Sequence, residues 1–366
     1  MKSNFDFLNR YWSALAQIGA TAETYVYSDP NACIYKLGMF AERLVQEILV
    51  FEHIAEPAVD NTHAIRIRIL KRAGLLPHEI DNTLYVLRKT RNSAVHTGTD
   101  SVDEAKTLLS LTYNLAVWFM ETYGDWGYIA PEFIMPVETA HENLESVIAE
   151  QEKKIAELTK QLAVVTTAAS DKTQKERAKR SESVSAMMNW NEAQTRCLID
   201  EQLRLSGWEA DTQNLRYSKG TRPVKGRNIA ISEWPTNSAF SKNGYADYAF
   251  FVGEKLVALM DAKKMSEDVA STIDVQVKDY AAHIKPEDIP HTVGNWNGYQ
   301  VPFLFASNGR AYLEQLRTKS GIWFLDVREQ ENQPYPIRIW FSPSDLMEKL
   351  GQNTAAANQA LAAADN

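Results

Sequence analysis

Ala246-Asp247-Tyr248-Ala249-Phe250-Phe251-Val252-Gly253-Glu254-Lys255-Leu256-Val257-Ala258-Leu259-Met260-Asp261-Ala262-Lys263-Lys264 reads as two β-branched and aromatic runs joined by a short Gly-Glu-Lys turn, the signature of a hairpin. Asp247 opens the first run; Asp261 closes the second, with Lys263 two residues later. Side chains two apart share a strand face, so Asp261 and Lys263 are expected to point the same way. Asp247 and Asp261 are fourteen residues apart, and a hairpin would bring them close in space. Two carboxylates and a lysine converging at strand ends suit a divalent cation and the activation of a water. Taken alone, two strands ending in solvated charges account for the same pattern.

Downstream of the hairpin, a helix is expected from about Val269 to Ile284, with Gln276 and Tyr280 on one face at i and i+4. Val301 to Ala306 reads as a buried strand that ends in the tight turn Ser307-Asn308-Gly309-Arg310. Gly321–Val327 and Ile337–Phe341 read as further strands, Pro343-Ser344-Asp345 as the start of a last helix, and residues 351–366 as a disordered tail. Upstream, Asn191 is placed to cap a helix with Gln194 or Thr195 in its first turn. Glu192 and Arg196 share a face of that helix, and Gly207 stops it. Leu215 to Asn228 is rich in glycine and base, and Lys219, Arg222, Lys225 and Arg227 fit contact with a DNA backbone. A solvated loop is the alternative. Ile229 to Thr236 is a short strand leading back to the hairpin. The order of elements gives a mixed α/β domain over 187–350.

The first 136 residues read differently. Apolar residues at helical spacing mark Phe5–Ile18, Ala32–Phe51, His63–Ala73, Ile80–His96 and Val102–Tyr123, five antiparallel helices around one core. Arg91, Asn92 and His96 span about a turn and a half of helix, so arginine could hold a phosphate while histidine transfers a proton. That spacing resembles the Arg-x4-6-His motif of HEPN domains, which implies a metal-free ribonuclease or nucleotide-binding site. Pairing of Arg91 with Glu42 or Glu47, and His96 near a helix C-terminus, explains the same residues structurally. Between the two parts, Leu144, Ile148, Gln151, Ile155, Leu158, Leu162 and Val165 form a heptad seam, so 137–186 is read as a coiled-coil or linker helix. Its last part, Ala168–Ser185, reads as solvated.

At 366 residues the chain needs two or three domains. Its 45% apolar and 23% charged content is that of a soluble globular protein. No apolar run or signal-peptide core suggests a membrane, and a cytoplasmic location is expected. Cys33 and Cys197 lack metal-ligand spacing, which excludes a zinc or disulfide scaffold. The net charge of −8 confines any nucleic-acid contact to local basic patches.

Helix-borne glutamate, hairpin Asp247 and Asp261-x-Lys263, then Gln276-x-x-x-Tyr280, together resemble the PD-(D/E)xK nuclease fold. Asn191-Glu192-Ala193-x-Thr195-Arg196, Gly207-Trp208, Lys219-Gly220, Gly226-Arg227-Asn228, Glu233-Trp234-Pro235-Thr236 and Phe305-Ala306-Ser307-Asn308-Gly309-Arg310 look like the nuclease region of the restriction (R) subunit of type I restriction–modification enzymes. The helical bundle is similar to the domain that precedes the nuclease in many such subunits. The resemblance implies a Mg²⁺-dependent endonuclease acting on unmodified foreign double-stranded DNA. Asp247, Asp261 and Glu192 would hold the metal, and Lys263, Gln276 and Tyr280 would complete the catalytic set. Modification (methyltransferase) and specificity subunits are the implied partners. Two departures stand out. The family's Glu-x-Lys is here Asp261-x-Lys263, one methylene shorter. No Gly-x-x-x-x-Gly-Lys-[Ser/Thr] occurs, so the ATP-driven motor is expected to lie outside this chain, which is then an N-terminal fragment or a stand-alone derivative. Besides the nuclease, a HEPN-like ribonuclease and a non-catalytic scaffold for DNA or partner subunits remain open readings at this stage.

Overall fold

The computed structural model describes residues 3–56, 61–97, 101–138, 150, 153–155, 167, 169–188, 190–238, 244–264, 267–310, 312 and 314–352. The chain divides into two compact units, Met1–Met188 and Asn189–Asn366. The fold class is α followed by mixed α/β, as the element order implied.

The first unit is helical. Its helices are α1 (Ser13–Tyr25), α2 (Pro30–Phe51), α3 (His63–Arg72), α4 (His78–Thr97), α5 (Val102–Phe119) and α6 (Gln174–Met187). α2 is the centre: Asp29 caps it by accepting from the Ala32 N–H, Pro30 fills its first turn, and its apolar positions lie buried against α1, α4 and α5. The first helix starts later than its periodicity suggested. Trp12 (φ −137°, ψ 71°) breaks a short 3₁₀ turn, Asp6–Arg10, from α1, because its indole turns inward against Phe119. A second correction concerns α6, which was expected to be solvated. A Thr173/Glu176 capping box starts it, and one face is buried: Arg177 pairs with Glu52, Ser181 accepts from the Trp118 indole at 3.2 Å, and Ser185 donates to Glu79. Polar groups make that face, so no apolar stripe announced it. Of the heptad positions, Leu144, Ile148, Gln151, Leu158, Leu162 and Val165 lie outside the described residues, as do residues 353–366 of the tail.

The second unit is a seven-stranded mixed sheet in the order β1 to β7: Glu209–Ala210, Asn228–Pro235, Tyr245–Val252, Lys255–Ala262, Phe303–Ser307, Ile322–Asp326 and Tyr335–Ile337. β1/β2 and β4/β5 are parallel, and the other pairs are antiparallel. Helix α7 (Glu192–Leu205) supplies Ile199 and Leu203 to the core on one face, with Phe250, Met260 and Phe305. Helix α8 covers the other face with Ile273, Val277 and Tyr280, against Ala249, Phe251 and Leu259. It runs as Ala270–Thr272, a π turn Ile273–Val277, then Lys278–Ala282. The last helix, α9 (Pro343–Gly351), is capped by Ser342. The strand expected at Ile337–Phe341 ends instead at Ile337, because Trp340 drops into the core and donates its indole N–H to Gln202 at 3.0 Å. Strand β1 was not foreseen; two residues show no period.

Candidate active site

Hairpin β3–β4 reverses at Gly253, whose φ of 60° suits glycine. Carrying the register on from the Tyr248↔Met260 pair by one residue sets Asp247 opposite Asp261. Both carboxylates are buried, at 6% and 3% exposure. Asp247 Oδ2 accepts from the Ala262 N–H at 2.7 Å. Burial and the neighbouring Asp261 push the Asp247 carboxyl well up. Burial also raises Asp261, opposed by the Lys263 ammonium. Two buried acids side by side resist joint ionisation unless a cation joins them.

Lys263 Nζ stands 2.7 Å from Asp261 Oδ2 and donates to Gln276 Oε1 at 2.8 Å. Gln276 Nε2 donates to the Tyr280 hydroxyl at 2.5 Å, and that hydroxyl reaches Asp261 Oδ1 at 3.4 Å. Asp261, Lys263, Gln276 and Tyr280 thus close a ring of four side chains. The Lys263 N–H also donates to the Ser307 carbonyl at 2.9 Å, fixing the lysine's backbone to the end of β5. A π turn beneath Gln276 is a common device where a helix must aim a side chain at a site.

Glu192 and Arg196 come from the first turn and a half of α7, opened by an Asn191/Gln194 capping box. Arg196 bonds Glu192 at 2.6 Å and also pairs with Asp247 and, at 3.6 Å, with Glu233. The turn Ser307–Arg310 packs on the same helix: a Cβ on Gly309 would meet Thr195 Cγ2 at 3.4 Å, and its φ of 71° is left-handed. Glycine is needed there.

The basic loop does not gather at this end of the sheet. Arg216 reaches Glu233 at 3.3 Å, beside the acids. Gly253 donates to the Arg227 carbonyl, which puts Arg227 at the turn end of the hairpin, some five residues or about 17 Å along β3 from Asp247. Arg227 is paired with Glu209, and Arg222 lies 3.7 Å over the Tyr217 ring. Lys219 and Lys225 are exposed. In the helical unit, Arg91 is paired with Glu42 at 2.5 Å, Asn92 is exposed, and the side chain of His96 lies outside the described residues.

The acids around Asp247 offer only oxygen donors, the kind a hard divalent cation takes. Among the described residues no group of three or more acids, histidines or cysteines stands in metal-holding geometry. Glu192 and Asp247 are instead paired with Arg196.

Residues 209–350 match the family described as the second domain of the type I restriction enzyme EcoKI endonuclease subunit. Over 98% of its length the chain aligns with the type I restriction enzyme EcoKI endonuclease subunit of Escherichia coli (strain K12), 29% identical over 432 residues. The chain is similar to the N-terminal part of a type I restriction endonuclease subunit. It spans 37% of that relative's length. No solved structure matches it.

The part matched as a type I second domain runs from β1 to α9, so it holds Asp247, Asp261, Lys263, Gln276 and Tyr280 but not Glu192 or Arg196. Sequence reasoning passed over Glu233 as a site residue. It lies across from Asp247 on β2, with a φ of 54° rare for a side chain of its size. The β2–β3 ladder pairs Ser232 with Tyr248 and Trp234 with Ala246 and skips the pair between them. The apolar alternation also changes phase there: Ile229 and Ile231, then Trp234, face the α8 core. The only sequence signal was that phase change.

Among the described residues no helix is long and apolar enough to cross a membrane.

Proposed function

We propose that the chain is the Mg²⁺-dependent endonuclease module of a type I restriction enzyme, hydrolysing phosphodiester bonds of unmodified double-stranded DNA in the cytoplasm. Methyltransferase and specificity subunits are its partners, and ATP is used only by a motor outside this chain. The observation that carries the reading is the closed ring Asp261–Lys263–Gln276–Tyr280 beside a second buried carboxylate. The similarity to a restriction endonuclease subunit supports it.

Asp247 and Asp261, with Glu192, are the residues to hold Mg²⁺, which when bound supplies positive charge at the scissile phosphate and acidifies a water. Lys263 presents its ammonium at the mouth of the ring, about a fifth exposed, where it orients the attacking water and offsets charge growing on phosphorus. Gln276 and Tyr280 fix that ammonium. Lys219, Arg222, Lys225 and Arg227 are the proposed DNA contacts; their spread along the sheet suits a duplex laid across it rather than one gathered at the acids.

The test is nicking of supercoiled plasmid by the chain joined to its motor and partner subunits, with Mg²⁺. Asp261→Ala is expected to lose cleavage by roughly a hundredfold or more while DNA-stimulated ATP hydrolysis persists. Full cleavage by that variant would overturn the assignment. The ribonuclease reading gains nothing from the structure, because the Arg91 guanidinium is engaged by Glu42.

A further inference from the structure

We propose that Arg196 is the resident counter-ion of the metal site, seated on Asp247 until a divalent cation moves it across to Glu233. The proposal rests on the nuclease reading above and adds to it how the site is held before metal arrives. Asp247 has two oxygens. Oδ2 is occupied by the Ala262 N–H and Oδ1 by the Arg196 guanidinium. A divalent cation on Oδ1 would stand at ion-pair distance from the guanidinium, and repulsion between the two positive charges disfavours joint occupancy, so binding of the first loosens the second. Arg196 also holds Glu192, so one arginine is paired with both acids that the metal would need besides Asp261.

Glu233 supplies the second seat. Its carboxylate already lies 3.6 Å from Nη1 of Arg196, whereas Glu192 and Asp247 are held by Nη2. Its left-handed backbone is costly and persists only where the surroundings fix it. Here that backbone turns a glutamate toward Arg196 at the point where the β2–β3 ladder skips a pair. Arg216 shares Glu233 at 3.3 Å, which lowers its pull on Arg196 and accounts for the arginine resting on Asp247 instead. Lys263 takes no part in the exchange, since its partners are Asp261 and Gln276. Arg196 is therefore a positioning residue: it keeps the buried acids apart from one another's charge and sets a threshold for the ion.

Mn²⁺ alone is the probe, titrated into the full chain by calorimetry and by the rise in Tm that it causes. Arg196→Gln is expected to tighten Mn²⁺ binding about tenfold, the step that 1.4 kcal/mol of competition makes, while lowering Tm without metal. Glu233→Gln, which leaves Arg196 in place, is expected to weaken Mn²⁺ several-fold, because the arginine then has nowhere to go. Asp247→Asn should abolish binding in each background. Unchanged or weaker Mn²⁺ binding by folded Arg196→Gln would overturn the proposal, as would unchanged affinity in Glu233→Gln. Absence of binding in both the native chain and Arg196→Gln would overturn the metal reading beneath it. If Arg196→Gln does not fold, Glu233→Gln decides alone.

Discussion

Two arginines, a buried one in the helical unit and a half-buried one in the sheet unit, do opposite things with the charge around them. Arg177 in the helical unit meets one carboxylate, Glu52, squarely: Nε and Nη2 donate to its two oxygens at 2.8 and 2.5 Å, and Nη1 donates to the Ala169 and Lys172 carbonyls. Phe51 lies under the guanidinium at 5.0 Å. The two charges match one to one. Arg196 in the sheet unit meets three carboxylates, and the cluster as a whole sets Glu192, Glu233, Asp247 and Asp261 against Arg196, Arg216 and Lys263. Four acids face three cations, and burial above all pushes the two innermost acids upward. A one-to-one buried pair is what a fold needs to hold a helix down. Of the four acids only Asp247 and Asp261 are buried, and two carboxylates buried side by side are an arrangement met at functional sites.

That contrast can be broken by substitution. The largest expected effect on stability is at the balanced pair. Arg177→Ala strands Glu52 in the core of the helical unit and should cost about 3 kcal/mol in urea unfolding. The sheet unit's own transition should not move. A cost well under 1 kcal/mol would show that this pair is as loosely held as an exposed one, and the comparison would lose its structural half. A smaller effect is expected in the ring. Tyr280→Phe removes the hydroxyl that links Gln276 to Asp261, and loosens Lys263 without removing any charge. We expect a fall in kcat of roughly tenfold, little change in KM, and a stability change of about 1 kcal/mol. A change in KM alone would instead make Tyr280 a DNA contact.

Much of the sheet unit was legible because its signals are local. The hairpin has two period-two runs and a turn glycine; helix α7 has its Asn191 cap; Gln276 and Tyr280 are an i, i+4 pair whose contact holds even across a π turn. The Glu192–Arg196 pair was legible for the same reason. What the sequence hid is non-local or conformational. Arg196 reaches Asp247 across 51 residues, and nothing in its surroundings marks that. Glu233 matters because its backbone is left-handed, which no residue type near it demands. Arg227 has the composition of a DNA contact, but its place at the turn end follows from the β2–β3 register. Helix α6 was misread as solvated because its buried face is built from arginine and serine rather than from an apolar stripe. Trp12 delayed the start of a helix and Trp340 ended a strand early, each by turning into a core, a choice made by volume, not by period.

The most direct measurement is an anomalous-scattering map of crystals of this chain soaked in Mn²⁺. The account predicts one strong peak between the carboxylates of Asp247 and Asp261, absent from crystals of Asp261→Asn, with the Arg196 guanidinium turned from Asp247 toward Glu233. A saturated crystal with no peak between those two acids, Arg196 still on Asp247, would contradict it.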